Sequence, residues 1–206
     1  MLVQQDFPLF PLGIVALPTE SVPLHIFEPR YRTMIAECLE SGSEFGIVWA
    51  SDDGLRQIGC ACEIAEVLER HEDGRLDILT RGTRPFRLVE AHEELPYPSG
   101  TVEWLDDKPE PLDEATVAAA HDAYATLVQQ ATDAEPERDR VDAMGAYDMA
   151  ATVDFGLEAK QGLLSLRSEN ARLRLVTRLL RAALKRLDFI ERAQARARSN
   201  GKVRFG

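Results

Sequence analysis

Few residues in this chain have the types and spacings that chemistry requires. Cys60 and Cys62 stand two apart, and on a strand such a pair points to one side. Structural zinc takes four ligands at recognisable spacings, and neither Cys38 nor a histidine pair completes a set. Packed, reduced thiols are expected. His25 lies between Leu24 and Ile26 with no acid or nucleophile that spacing places beside it, so a hydrogen-bonded structural histidine is predicted. The acids Glu93-Glu94 and Asp106-Asp107 are adjacent, so their side chains diverge on an extended chain and read as solvated surface. Phosphate chemistry would need a glycine-rich loop closing in Gly-Lys-Ser/Thr, whereas Gly201-Lys202 is followed by Val203. No catalytic residue, metal set or cofactor site is expected.

The elements that would carry these residues fall into two compositional halves. The length of 206 residues suffices for one large domain or two small ones. With 45% hydrophobic and 29% charged residues the composition is globular. No apolar run approaches the ~20 residues of a transmembrane helix. No basic, then apolar, leader opens the chain, so a cytoplasmic protein without a signal peptide is expected. Three irregularly spaced cysteines make no disulfide framework. The net charge of −11 is unevenly spread: residues 167–206 hold 12 basic and three acidic residues, a local +9 against −20 in the remainder.

Short alternating segments at 45–50, 58–69, 75–81, 86–91 and 101–105 predict strands, with turns at Ser51–Gly54, Glu72–Gly74, Gly82-Thr83 and Tyr97–Gly100. The run Phe7-Pro8-Leu9-Phe10-Pro11-Leu12 interleaves apolar residues with prolines, which suits edge or irregular strands. Pro29 opens a helix over about 29–41 with Glu28 at its positive end. Tyr31, Met34, Ile35, Cys38 and Leu39 form its inner stripe, Arg30 pairs locally, and Gly42 ends it. Beyond a polar link at 106–111 the pattern turns helical. Asp113 is placed to cap a helix with Val117, Ala120, His121, Tyr124, Leu127 and Val128 inside. Short helices near 145–154 and 157–167 precede a long one from Ser168, striped by Leu173, Val176, Leu180, Leu184, Leu187 and Ile190.

The proline run, followed by Pro23-Leu24-His25-Ile26-Phe27-Glu28-Pro29-Arg30-Tyr31, closely resembles the start of the Lon domain, the amino-terminal substrate-recognition module of ATP-dependent Lon proteases. Gly59-Cys60-Ala61-Cys62-Glu63-Ile64, Asp73-Gly74-Arg75 and Gly82-Thr83-Arg84-Pro85-Phe86-Arg87 follow in family order. So do Gln161, Leu163 and Leu164, and then Arg172-Leu173. Thr19 stands where the family usually has glycine after the first-loop proline, and Pro85 where it has arginine. The resemblance spans roughly residues 7 to 190 and implies an α+β fold. An N-terminal antiparallel pseudo-β-barrel (PUA-like) with one inserted helix is followed by an α-helical bundle ending in a long helix. The expected domains are 1–110, β-rich, and 111–206, helical.

The function it implies is non-catalytic recognition of unfolded or degron-bearing polypeptides through their apolar segments, with a protease or chaperone as a further partner. Lon proteases cleave with a serine and lysine in a separate domain that nothing in this chain resembles. Leu17, Pro18, Val22, Leu24 and Phe45 are the candidate peptide contacts. Arg192, Arg196 and Arg198 are candidates for docking an acidic partner. Two other readings stand beside this one: a nucleic-acid-binding pseudo-barrel, and a homo-oligomeric scaffold self-associating through the long helix. The −20 balance and scarce aromatics argue against nucleic acid. The purified chain is expected to hydrolyse neither ATP nor casein; turnover that disappears when a residue of this chain is mutated would overturn that.

Overall fold

The structure, a computed structural model, describes residues 2–200, without the side chains of residues 195 and 197–200. The Arg198 side chain, Lys202 and Arg204 therefore lie outside the described residues. The chain divides into two compact units, Met1–Glu110 with Tyr147–Glu169, and Pro111–Ala146 with Asn170–Gly206. No helix among the described residues is long and apolar enough to cross a membrane.

The first unit holds strands β1 (Val3–Leu12), β2 (Ser21–Ile26), β3 (Phe45–Ser51), β4 (Gly54–Leu55), β5 (Ile58–Arg70), β6 (Leu76–His92) and β7 (Ser99–Trp104). Helix α1 (Pro29–Ser41) is inserted between β2 and β3. Pairing runs β1–β7–β6–β5–β3, and β3 pairs again with β1, so the circuit returns to its start. That last pair is parallel, unlike the antiparallel remainder. A parallel pair needs a crossover, and β2 with α1 supplies it. The two-residue β4 pairs with β3, and β2 pairs with β6 alone.

The prolines of β1 sit where the strand changes partners. Val3 to Pro8 pair with β7, and Leu9 to Leu12 pair with β3. Each half therefore has one open side, to which a proline can turn its missing N–H. A bulge between Gln4 and Phe7, with Asp6 at φ 52°, bends the strand ahead of the handover. Both faces of β1 are nevertheless covered. Phe7 and Leu9 enter one cluster with Val48, Ala61, Phe86, Val102 and Trp104. Phe10, on the other face, stacks on Tyr31 of α1 at 4.1 Å. Of the stripe expected from sequence, Tyr31, Met34, Ile35 and Cys38 are the buried residues of that helix, while Leu39 is only half-buried.

Inside the circuit, Phe7, Phe86 and Trp104 meet edge to face, with ring centroids 5.3 to 6.3 Å apart. Such pairs contribute about 0.5–1.5 kcal/mol each beyond their buried area. Room for the Phe86 ring comes from missing side chains: a Cβ on Gly46 would lie 2.5 Å from it, and one on Gly59 2.6 Å.

Gly82-Thr83 does not turn the chain. The two strands expected at 75–81 and 86–91 are one 17-residue strand, β6. The reason is a crossing backbone. Gly82 N–H donates to Glu20 O at 2.9 Å, and Thr19 N–H donates to Gly82 O at 2.8 Å. A Cβ on Gly82 would fall 2.0 Å from Leu17 O. Glycine is present for close approach, not for a bend. The crossing loop is itself a tight turn, with Glu20 N–H donating to Leu17 O at 3.1 Å, Pro18 next, and Thr19 at φ 68°. That is a type II turn, which favours glycine at its third position. Thr19 adopts the glycine conformation despite its branched side chain.

The helical part differs from the single 111–206 domain expected. Helix α5 (Leu157–Leu164) belongs with the strands. Gln161 Nε2 donates to Ile58 O at 3.0 Å, and Arg56 pairs with Glu158 at 3.0 Å. Lys160 pairs with Glu20. The short α4 (Ala146–Ala151) precedes it. In the second unit, α2 (Glu114–Thr132), α3 (Arg138–Asp142) and the long α6 (Glu169–Asn200) are joined by polar ties. Asn170 accepts from Asp113 N–H at 2.9 Å and donates to Pro111 O at 2.8 Å. Buried His121 bonds Met144 O through Nε2 at 2.8 Å. Along α6, Leu173, Val176 and Leu180 are buried, whereas Ile190 and its neighbour Phe189 are exposed.

Gly82→Ala is expected to lower unfolding stability by about 3 kcal/mol, because a backbone carbonyl cannot yield as a side chain can. Thr19→Gly should raise it by about 1 kcal/mol by removing left-handed strain. Urea denaturation measures both, and equal effects of the two would refute this account of the loop.

Candidate functional site

The loop between β1 and β2 was the centre of the expected peptide site, and the structure closes it. Leu17 and Phe45 are fully buried, and Pro18 is buried as well. Leu17 N–H donates to Glu20 Oε2 at 2.9 Å, while Glu20 Oε1 holds Lys160. With Gly82 bonded on both sides of Thr19, the turn is held at its backbone and at its acidic side chain. Leu17, Pro18 and Phe45 therefore belong to the core; a side chain committed to core packing is not free to meet a peptide. Val22 and Leu24 differ. They are half-buried on β2, whose outer edge has no strand partner among the described residues. Phe27 just beyond is 57% exposed. Of the basic candidates, Arg192 and Arg196 lie exposed on α6.

A second surface was not anticipated. An open groove of about 410 Å³ lies above the buried Leu9 and Val48. The segment Leu95–Ser99 forms one wall, with Pro11, Leu55 and Arg30 around the rim. The proline-rich wall is fixed from two sides. Leu9 N–H donates to Pro98 O at 2.8 Å, and Tyr97 Oη donates to Glu37 on α1 at 2.5 Å. His92 at one end bonds Asp6 at 2.9 Å and Thr101 at 3.0 Å. Arg30 lies 4.6 Å over the Tyr31 ring and pairs with Glu28 at 2.9 Å. The groove thus offers the apolar surface of Leu55 and Leu95, rigid prolines and a cation at the margin. Sequence held the signal in Pro96 and Pro98, which an ordinary turn reading absorbed.

Burial raises the Tyr97 phenol pKa, and the hydrogen bond to the Glu37 carboxylate raises it further. The Cys60 and Cys62 thiols do not approach reactivity. Cys60 and Cys62 are both inaccessible, and burial pushes the Cys60 pKa well up; a buried, protonated thiol is a poor nucleophile and a poor ligand.

One polar cluster also escaped sequence reading. His25 and Asp77 are direct partners across β2 and β6, with Nδ1 to Oδ1 at 2.5 Å. His71, in the β5–β6 turn, approaches the other carboxylate oxygen through Nε2 at 2.7 Å. These hydrogen bonds, that from His25 first, hold the Asp77 carboxyl below its ordinary range. His25 is hydrogen-bonded as predicted, but its partner is an acid that spacing did not reveal, with a second histidine beside it.

These features sit in a frame with known relatives. The family of the ATP-dependent protease La (LON) substrate-binding domain matches residues 6–182, and the chain belongs to it. Among full-length relatives, a Lon protease of Parabacteroides distasonis is 30% identical over 152 residues, 68% of this chain and 18% of that protein. Lon protease 2 of Myxococcus xanthus is 26% identical over 197 residues, 86% of this chain and 24% of that protein. The chain thus spans about a quarter or less of these proteases. The crystal structure of a Lon N-terminal domain protein from Xanthomonas campestris superposes with a TM-score of 0.65 at 25% identity, covering 84% of this chain and 96% of that one. The N-terminal domain of Mycobacterium avium complex Lon protease gives 0.63 at 20% identity, covering 85% and 98%.

The Tyr97 arrangement has a pH signature. A phenol whose folded pKa is raised gives stability that is complete below its ordinary value of 10.0 and is lost as pH rises beyond it. Tyr97→Phe should cost about 1 kcal/mol at neutral pH and should flatten the decline in melting temperature above pH 10. An unchanged alkaline decline would show that other groups carry it.

Proposed function

We propose that this chain is a non-catalytic polypeptide-recognition module that binds exposed apolar segments of unfolded or degron-bearing proteins. Membership of a substrate-binding family supports recognition of protein substrates as the general role. The observation that carries the finer reading is the groove that presents Pro11, Leu55, Leu95 and Pro96. Its prolines lose little entropy on binding, so an apolar side chain can enter against Leu55, Leu95 and Pro96 without reorganising the fold. The returning strand circuit is in this reading the pseudo-barrel that keeps the groove rigid. The open edge of β2, with Val22 and Leu24, is a secondary surface for strand addition. Pro23 on that edge removes a backbone donor, which makes it the weaker of the two. Arg192 and Arg196 on α6 remain candidates for docking an acidic partner such as a protease or chaperone.

Peptides from unfolded proteins should bind with micromolar or weaker affinity, about −8 kcal/mol or less favourable, and with little salt dependence. Leu55→Asp or Leu95→Asp, both at the groove, should weaken binding about tenfold. Leu24→Asp on β2 should have the smaller effect. A peptide array without signal above background refutes the recognition reading, and loss confined to Leu24→Asp moves the site to the β2 edge.

A further inference from the structure

We propose that His25, His71 and Asp77 form a binding site for a divalent transition-metal ion of the zinc type. One ligand atom from each of the three residues lies within 4.8 Å of the others. Two imidazoles and a carboxylate are the donor set that Zn²⁺ takes with a fourth position left for water. The donors come from three places in the fold: β2, the β5–β6 turn and the start of β6. Their meeting is fixed by the backbone rather than by flexible side chains. His25 and Asp77 are cross-strand partners. His71 is anchored by its N–H to Arg75 O at 3.0 Å and by its carbonyl, which accepts from Gly74 N–H at 2.9 Å.

Both rings are also oriented. His25 stacks on Phe27 with centroids 5.9 Å apart. Glu69 Oε1 lies 3.6 Å from His71 Nδ1. When an ion displaces the Nε2 proton, a carboxylate on that side favours a proton at Nδ1 and leaves the Nε2 lone pair for the metal, the arrangement found behind many metal-bound histidines. Asp77 now receives a hydrogen bond from each ring. A cation in the same space would replace two N–H contacts with coordination by the two ring nitrogens and one carboxylate oxygen. The side chains of His25 and Asp77 are 44% and 30% exposed, so the ion can enter and water can complete its shell. A bound ion would tie the otherwise one-sided strand β2 to the β5–β6 turn as well as to β6.

Calorimetric titration of the intact chain with ZnCl₂ should give one site of micromolar affinity, and saturating Zn²⁺ should raise the melting temperature relative to EDTA-treated protein. Asp77→Asn and His25→Gln each keep hydrogen-bonding capacity and should weaken the affinity about tenfold or more. Co²⁺ in the same site should show tetrahedral visible bands without a thiolate charge-transfer band. Absence of a Zn²⁺ site overturns the proposal. So does Zn²⁺ binding that survives both substitutions, or a thiolate band that assigns the metal to cysteine.

Discussion

The fold depends on one volume constraint, the placing of Phe86 inside the returning strand circuit. Its ring occupies space that side chains on β3 and β5 would otherwise fill, and Gly46 and Gly59 keep that space open. Phe7 and Trp104 then meet it edge to face from β1 and β7. Every strand of the circuit thereby contributes either a ring or a gap to a single packing problem, and β5 adds Ala61 to its gap. Interiors are close-packed, so this arrangement tolerates neither a missing ring nor an added methyl without displacement. The parallel contact of β1 with β3 follows, because Leu9 and Val48 of those strands belong to the same cluster.

From that packing comes the division between closed and open surface. The loop after β1 crosses β6 at Gly82 and is bonded there through main chain, so its apolar residues turn inward. Lys160 and Gln161 add ties from α5, which explains why this helix belongs with the strands although it follows a helical segment in the chain. What remains open lies elsewhere. The groove is walled by Leu95–Ser99, and β2 is bound on one side. The first is apolar and rigid, and the second is polar at His25 and apolar at Val22 and Leu24. The proposed recognition of an extended chain and the proposed capture of a metal ion call for these different chemistries, although β6 serves both, through Ala91 and His92 at the groove and Asp77 at the cluster.

The helical unit shows another balance. Asn170 joins the start of α6 to the segment before α2 by satisfying a backbone donor and acceptor at once. Such two-sided bonding fixes direction more firmly than apolar contact, which is non-directional. Farther along α6, burial fades after Leu180 while the helix continues. Its later turns rely on local helix bonds and charge rather than on a core.

Much of this was present in the sequence. The inner stripe of α1 was legible because helical periodicity is a local property, and four of its five members are those the structure buries. The family was legible in the proline block and the Glu28-Pro29 helix start, since few sequences combine those local constraints. The loop conformation was half legible: a glycine position filled by Thr19 signalled something unusual, and the left-handed φ shows that the backbone kept its path while the residue changed. Three things were not legible. Gly82 carries the same letter whether it turns a chain or lets another chain cross, and only the crossing decides. Leu17, Pro18 and Phe45 have the apolar character of a peptide contact, but burial depends on what packs over them. His25, His71 and Asp77 lie far apart or across a turn in sequence, and they meet because β2 and β6 pair in one register. Composition and periodicity act over a few residues and are written in the chain; register, crossing and burial are relations between distant segments, set when the whole core is packed.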